Sequence, residues 1–237
     1  MRKMLITGTT QGIGNELYNR FCEQYDVYTV NRREFKEKNV ICDLSILKDV
    51  GTLCDAIKKM KFDVLINNAG GGEPVKFEKM TANILNECTT LNYISPIMLM
   101  QAVLPYMKTC GFGRIVNISS IAAKSPRPLI PHYGAAKAAL ESFSESMAVA
   151  YANNGISINC VCPGGVDTKK SRENRRLMAQ INGVDPDYYN LAMSDGNGLG
   201  RMIKTSEVAD LVEFLISCDT PVISGQTINI CGTKEVH

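Results

Sequence analysis

With 237 residues, 45% of them hydrophobic and 21% charged, the chain has the length and composition of one large globular unit or two small ones, and is not a disordered chain. Its 26 basic and 24 acidic residues leave a net charge of +2, too balanced for a nucleic-acid binder. Short apolar runs alternate with helical periods along the chain. Residues 3–7 read as a strand. Ile13, Leu17, Phe21 and Tyr25 recur every four residues and read as a helix. Residues 27–30 and 40–42 are expected as the second and third strands, with Ile46, Val50, Leu53 and Ile57 marking the helix that follows. Residues 62–66 lack polar alternation, as suits a strand buried on both faces. A long helical stretch spans residues 81–107, where Pro96 and Pro105 are expected to bend or end it. Residues 114–118 form a fifth strand, 133–151 a helix rich in Ala and Ser, and 156–161 a sixth strand. The chain closes with a helix over 206–217, capped by Ser206, and a seventh strand over 227–230.

Strands alternating with helices imply right-handed crossovers and a parallel sheet covered on both faces. The expectation is an α/β fold, a single Rossmann-type doubly wound domain over residues 1–237 with about seven parallel strands. Residues 165–205 show no clear strand and many polar residues, so they are expected to form a substrate lid. The most apolar stretch, residues 94–107, is interrupted by Ser95, Pro96, Gln101 and Pro105, so no membrane span is expected. Too few apolar residues follow Arg2 and Lys3 for a signal peptide, and a cytoplasmic location is the default. Nine cysteines without a C-x-x-C pair, and only two histidines, give no ligand spacing for a metal.

The first strand runs into Gly8-Thr9-Thr10-Gln11-Gly12-Ile13-Gly14 and then into a helix. A glycine turn at a strand-to-helix junction lets backbone N–H groups approach a pyrophosphate, and the helix N-terminus favours the anion. Asn67-Asn68-Ala69-Gly70 follows the fourth strand, Ser119-Ser120 ends the fifth, and Pro163-Gly164 follows the sixth, all at the carboxyl edge where an open parallel sheet binds its ligand. Tyr133 and Lys137 are four apart on a helix and so share a face.

Taken in order, TGTTQGIG, NNAG, NISS, YGAAK, PGGVDT and ISGQTINICG resemble the short-chain dehydrogenase/reductase family over nearly the whole chain, in the style of 3-oxoacyl-carrier-protein reductases and sugar or polyol dehydrogenases. The resemblance implies that Ser120 polarises the substrate oxygen, that Tyr133 exchanges a proton with it, and that Lys137 lowers the phenol pKa and holds the nicotinamide ribose. It also implies that Asn92 orders a water leading from the lysine; the rival for Asn92 is a helix-kink asparagine bonded to its own backbone. Alternation along a strand means that only one of Ser119 and Ser120 faces the site. The implied cofactor contacts are Gly8, Thr10, Gln11, Gly12, Ile13 and Gly14, then Asn68, Ala69 and Gly70, then Tyr133 and Lys137, and finally Pro163, Gly164, Val166 and Thr168. Asp43 and Leu44 bracket the adenine.

Cofactor choice is read at the end of the second strand. Asn31-Arg32-Arg33 stands where an NAD site places a carboxylate, and Arg32 with Asn31 suits the 2′-phosphate of NADP(H), with NAD(H) the alternative. Two positions depart from the family pattern: Gly165 in place of a bulky residue, and Thr233 after Gly232 in place of a second glycine. Lys169, Lys170, Arg172, Arg175 and Arg176 give the lid five positive charges, a candidate grip on a phosphate-bearing substrate. The expected activity is an NADP(H)-dependent reductase of a carbonyl such as a 3-oxoacyl thioester, a sugar or another small ketone. The alternatives are an NAD-dependent alcohol or polyol dehydrogenase, or a regulator or scaffold that binds the cofactor without catalysis. The resemblance implies a homotetramer or homodimer formed through the two long helices. Neither nucleic acid nor membrane is an expected partner.

Overall fold

The computed structural model of the chain describes residues 1–188 and 197–234. Among them, seven strands form one all-parallel sheet in the order β3-β2-β1-β4-β5-β6-β7. They are β1 (Lys3–Thr7), β2 (Asp26–Asn31), β3 (Asn39–Ile41), β4 (Val64–Asn67), β5 (Gly113–Ile118), β6 (Ile156–Pro163) and β7 (Thr227–Ile230). All seven expected strands are present, their ends shifted by a residue or two. Chain order reverses between β1 and β4, which opens a crevice at the carboxyl edge of the sheet between the loops that follow them.

Alternation along each strand feeds two cores. Leu5, Leu65, Ile115 and Ile158 point to one face, where they pack on Leu53 and Ile57 of α2 (Leu47–Met60), Leu99 and Val103 of α4 (Ser95–Cys110) and Ala148 of α5 (Pro131–Tyr151). Met4, Ile6, Val64, Ile66, Val116 and Val161 point to the other, against Leu17 and Phe21 of α1 (Gly12–Phe21) and Val208 and Val212 of α7 (Thr205–Ser217). Each such side chain, fully buried, contributes about 1.5–3 kcal/mol, so both faces of the sheet are firmly covered.

The stretch expected as one long helix is three continuous pieces. α3 (Ala82–Thr89) passes through a π-helical turn at Thr90–Ile94 into α4. Pro96 is the second residue of α4, directly after the π segment, and does not end the helix. Pro105 lies inside α4 without ending it; the helix runs on to Cys110. The expected irregular segment contains a helix, α6 (Lys169–Asn182), capped by Thr168 Oγ1, which accepts from Ser171 N at 3.1 Å. Residues 189–196 of the expected lid lie outside the described residues. Ser206 is not the cap of α7: that position is Lys204, whose N–H donates to Glu207 Oε2 at 2.8 Å. None of the nine cysteines is in a disulfide. No helix among the described residues is long and apolar enough to cross a membrane.

Candidate active site

The glycine turn forms because its backbone takes a path closed to larger residues. Gly8 has φ +72°, and a Cβ there would stand 2.8 Å from Ala69 Cα. A Cβ on Gly14 would meet the Gly8 carbonyl oxygen at 2.1 Å, so the turn can close on α1 only with glycine at 14. Gln11 occupies the N-cap of α1 in extended conformation with no side-chain hydrogen bond to the helix, whereas α3 and α6 are capped by threonines. The first N–H groups of α1 therefore point into the crevice unsatisfied by a capping side chain, a cradle that fits the pyrophosphate of a dinucleotide.

Neighbouring asparagines hold this turn in place. Asn68 Nδ2 donates to the carbonyls of Thr7 and Gly8, both at 2.9 Å, and Thr7 Oγ1 accepts from the N–H groups of Asn68 and Ala69. Asn31 departs from its expected role. Its side chain is buried, with Oδ1 accepting from Thr9 N at 2.7 Å and Nδ2 donating to Thr9 Oγ1 at 2.9 Å. Thr29 and Asn31 lie on the same side of β2, and Asn31 braces the turn. Arg32 is exposed, its Nη1 4.0 Å from Asp43 Oδ2. Asp43 also accepts from Ser45 N and Oγ; burial pushes its carboxyl up, but the Ser45 bonds and the Arg32 charge outweigh that and hold it below the usual value. Leu44 is buried beside it, and its carbonyl accepts from Ser95 Oγ at 2.6 Å. Thr10, Gln11 and Ile13 line the turn, with Thr10 and Gln11 exposed.

The loop after β4 packs directly on the reactive helix. A Cβ on Gly70 would lie 2.8 Å from Asn92 Oδ1 and 3.1 Å from Lys137 Nζ. Asn92, fully buried in the π turn, accepts from Gly71 N at 2.9 Å and donates to Gly71 O and Cys88 O, each at 2.8 Å. These bonds are those of the rival reading, an asparagine at a helix kink bonded to its own helix. Its amide is spent clamping the loop and bonding its own helix, and a π turn is what admits it there.

Ser120, Tyr133 and Lys137 meet at the carboxyl edge. Ser120 Oγ accepts from Ala122 N at 3.1 Å and stands close enough to the Tyr133 hydroxyl to favour its ionised form. Lys137 Nζ donates to Ile118 O at 2.7 Å and lies 5.8 Å from the centroid of the Tyr133 ring. The alternation argument holds: Ser119 points the other way, donating to Glu141 Oε1 at 2.5 Å, and the Cys162 thiol donates to the same oxygen at 3.0 Å. Sequence reasoning did not single out Glu141. Its signal was the spacing 137, 141, 144 along α5. Each of these residues keys the helix to β5: Lys137 through Ile118 O, Glu141 through Ser119, and Ser144 through Asn117 Nδ2 at 2.8 Å.

The electrostatics of the chain alone differ from the expected lowering of the phenol. Burial pushes Tyr133 up to about 12, and the neighbouring Ser120 hydroxyl only partly opposes it. Burial pulls Lys137 down to about 8, with Cys160, Cys162, Cys88 and Glu141 acting the other way. Desolvation wins at both groups because neither has a fully opposing charge in contact. Next to the tyrosine, His132 is buried and burial lowers its pKa.

Pro163 ends β6 buried, and Gly164 N donates to Ile230 O at 2.9 Å. Val166 bridges Ile203, and Thr168 stands against Gly12, 3.2 Å from where its Cβ would be. The segment after β6 thus reaches the glycine turn. The five lid charges do not make one patch. Lys170 pairs with Glu73 at 3.0 Å, Arg172 with Asp167, and Arg175 is buried with Nη1 on Ser171 Oγ at 2.7 Å. The helical twist of α6 sends them to different neighbours, and Lys169 and Arg176 are the two that remain exposed without such a role. Thr233, where the family places a glycine, takes φ +69°, a conformation that strains a β-branched residue.

The sequence profile of the short chain dehydrogenase family matches residues 2–178. A putative ketoacyl reductase of Streptomyces coelicolor is 28% identical over 96% of this chain and 95% of its own length. A glucose 1-dehydrogenase of Gluconobacter oxydans is 30% identical over 100% of this chain and 92% of its own. Among solved structures, an actinorhodin polyketide ketoreductase with NADPH superposes with a TM-score of 0.91 at 27% identity, covering 100% of this chain and 98% of that one. The glycine turn, the Ser120–Tyr133–Lys137 cluster and these matches lead to one conclusion: the chain belongs to the short-chain dehydrogenase/reductase family, whose members use NAD(P), and is an oxidoreductase acting on CH–OH or keto groups.

Proposed function

We propose that the chain is an NADP(H)-dependent carbonyl reductase that converts a small ketone into a secondary alcohol, with residues 165–205 as its substrate lid. The reading rests on one observation above all: a phenol whose proton is held at neutral pH stands against a serine hydroxyl and a lysine, beside a helix N-terminus open to an anion. When bound, the nicotinamide supplies the hydride. Ser120 Oγ, already accepting from Ala122 N, has its own proton to offer the carbonyl oxygen. Tyr133 gives its hydroxyl proton to the same oxygen, and the Lys137 ammonium offsets the negative charge left on the phenol oxygen. The Tyr133 proton is held at neutral pH, so the group enters the reaction in the acid form that carbonyl reduction calls for. Exposed Arg32 supports NADP(H), because its guanidinium faces solvent with only a long 4.0 Å pairing to Asp43, and no carboxylate stands at the carboxyl end of β2. The names of the relatives point to 3-oxoacyl thioesters and sugars as substrates to try first. The intact trio argues against a scaffold without catalysis.

A panel of 3-oxoacyl thioesters, sugars and small ketones, followed by NADPH oxidation, tests the reading. With the best substrate, Tyr133→Phe should still bind NADPH while turnover falls about 10²–10⁴-fold, the usual worth of general acid catalysis. Near-wild-type turnover in that variant would overturn the assignment. We also infer a homotetramer or homodimer built on the outer faces of α4 and α5, where Val149 is 81% exposed and Phe143 and Met147 are only partly covered.

A further inference from the structure

The end of β2 carries a chain of side-chain hydrogen bonds that the catalytic chemistry does not use. It starts at the glycine turn, where Thr9 is held by Asn31 through its N–H and its hydroxyl. Asn31 Nδ2 also donates to Asn39 Oδ1 at 2.7 Å, and Thr29 Oγ1 donates to the same oxygen at 2.9 Å. Asn39 lies opposite Thr29 in the β2–β3 register, which is why one carbonyl oxygen can serve both side chains. Its remaining group, Nδ2, donates to Arg33 O at 3.1 Å. An unbroken path therefore links the turn that fits a pyrophosphate to the loop that carries Arg32 and Arg33.

That loop is fixed at few other points. Phe35 packs edge-on against Tyr18 of α1 with centroids 4.9 Å apart, and Lys38 O accepts from Thr29 N at 2.8 Å. Between the buried Asn31 and Phe35, the Asn39 bond is what holds the backbone at Arg33. Arg32 lies between Asn31 and Arg33, so both its flanking residues are tied down while its guanidinium stays exposed, 4.0 Å from Asp43. An arginine offered to a phosphate from a fixed backbone loses less conformational freedom on binding than one on a free loop.

We propose that Asn39 is a positioning residue for cofactor choice: through Arg33 O it presents Arg32 to the 2′-phosphate of NADPH, and through Asn31 it couples that presentation to the glycine turn. The proposal rests on the NADP(H) reading above, and the test separates the two. NADPH and NADH are titrated without substrate, by nicotinamide fluorescence, against the wild-type chain, Arg32→Ala, Asn39→Ala and Asn39→Asp. Asn39→Asp keeps the oxygen that receives Thr29 and Asn31 but cannot donate to Arg33 O, so it preserves the sheet side of the network if the alanine variant folds poorly. One hydrogen bond corresponds to about a 2–10-fold change in an equilibrium constant, so both Asn39 variants should weaken NADPH binding by roughly that factor while NADH binding stays within about twofold. The aspartate should lose at least as much as the alanine, because it adds a negative charge beneath the loop. If the wild-type chain shows no preference for NADPH, the NADP(H) reading fails and this inference with it. If Arg32→Ala removes the preference while both Asn39 variants keep it, the reading stands and the inference is overturned. Equal losses for both cofactors in the Asn39 variants would also overturn it, since Asn39 would then merely support the fold.

Discussion

Replacing Lys137 with Met should remove a pH-dependent penalty from the stability of the cofactor-free chain while abolishing turnover. The ammonium is almost wholly buried, and burial lowers its pKa from 10.5 to about 8. Because the folded value lies below the unfolded one, the unfolded chain binds the extra proton between those pH values, and stability rises with pH across that window. The penalty for holding the charge inside is full below pH 8 and fades as pH climbs toward 10.5. At about 1.4 kcal/mol per pKa unit it amounts to about 3 kcal/mol at pH 7. Methionine has nearly the same length and no charge, so it escapes that term. It also leaves Ile118 O without the donor now 2.7 Å away, at a cost of about 1–3 kcal/mol that does not depend on pH. The net effect at pH 7 is therefore small or favourable. The discriminating quantity is the change with pH: the stability of the variant relative to wild type should fall by about 2.5 kcal/mol between pH 7 and pH 10. Urea unfolding of both proteins at several pH values measures it, and other titrating groups cancel in the difference. Parallel stability curves would refute the claim that Lys137 carries its charge at the expense of the fold.

Two further outcomes follow from the geometry. Gly8→Ala should lower stability by about 1–3 kcal/mol and weaken cofactor binding, since φ +72° is strained for alanine and its Cβ would press on the Ala69 backbone; an unchanged urea midpoint with unchanged NADPH affinity would contradict this. Light scattering at micromolar concentration should give about four chain masses, or two, if the outer faces of α4 and α5 are covered by other copies; a strict monomer would sink that assembly.

Much of the site was legible because its signals are local and obey simple geometry. The glycine turn follows the first strand, and strand alternation correctly sent Ser120 one way and Ser119 the other. What escaped was set by direction or by the absence of an apolar pattern. Asn31 was legible as a position but not as a contact; Thr29 and Asn31 share the inward side of β2, a clue in the same alternation rule. α6 went unseen because it buries only Arg175 and Ala179 and so has no hydrophobic stripe. Thr168 before it and Gly183 after it, a threonine cap and a left-handed glycine, were the remaining signals. The clamp that Asn92 makes on Gly71 depended on a π turn, and the pairing of Lys170 on Glu73, nearly a hundred residues away; neither is visible in local spacing.

The distribution of free thiols gives the molecule two chemically distinct poles. Cys42, Cys88, Cys160 and Cys162 are buried, and burial above all holds Cys42 near 11 and Cys160 near 12, so at neutral pH they stay protonated and unreactive. Cys22 and Cys110 are exposed. Cys22 follows the last turn of α1 and Cys110 ends α4, helices that start at the carboxyl edge of the sheet and run back along it. Both reactive sulfurs therefore sit at the rim away from Ser120 and Tyr133. A maleimide dye or a surface tether attached there marks the back of the molecule and leaves the crevice open, so the chain carries its own handles for immobilisation and labelling.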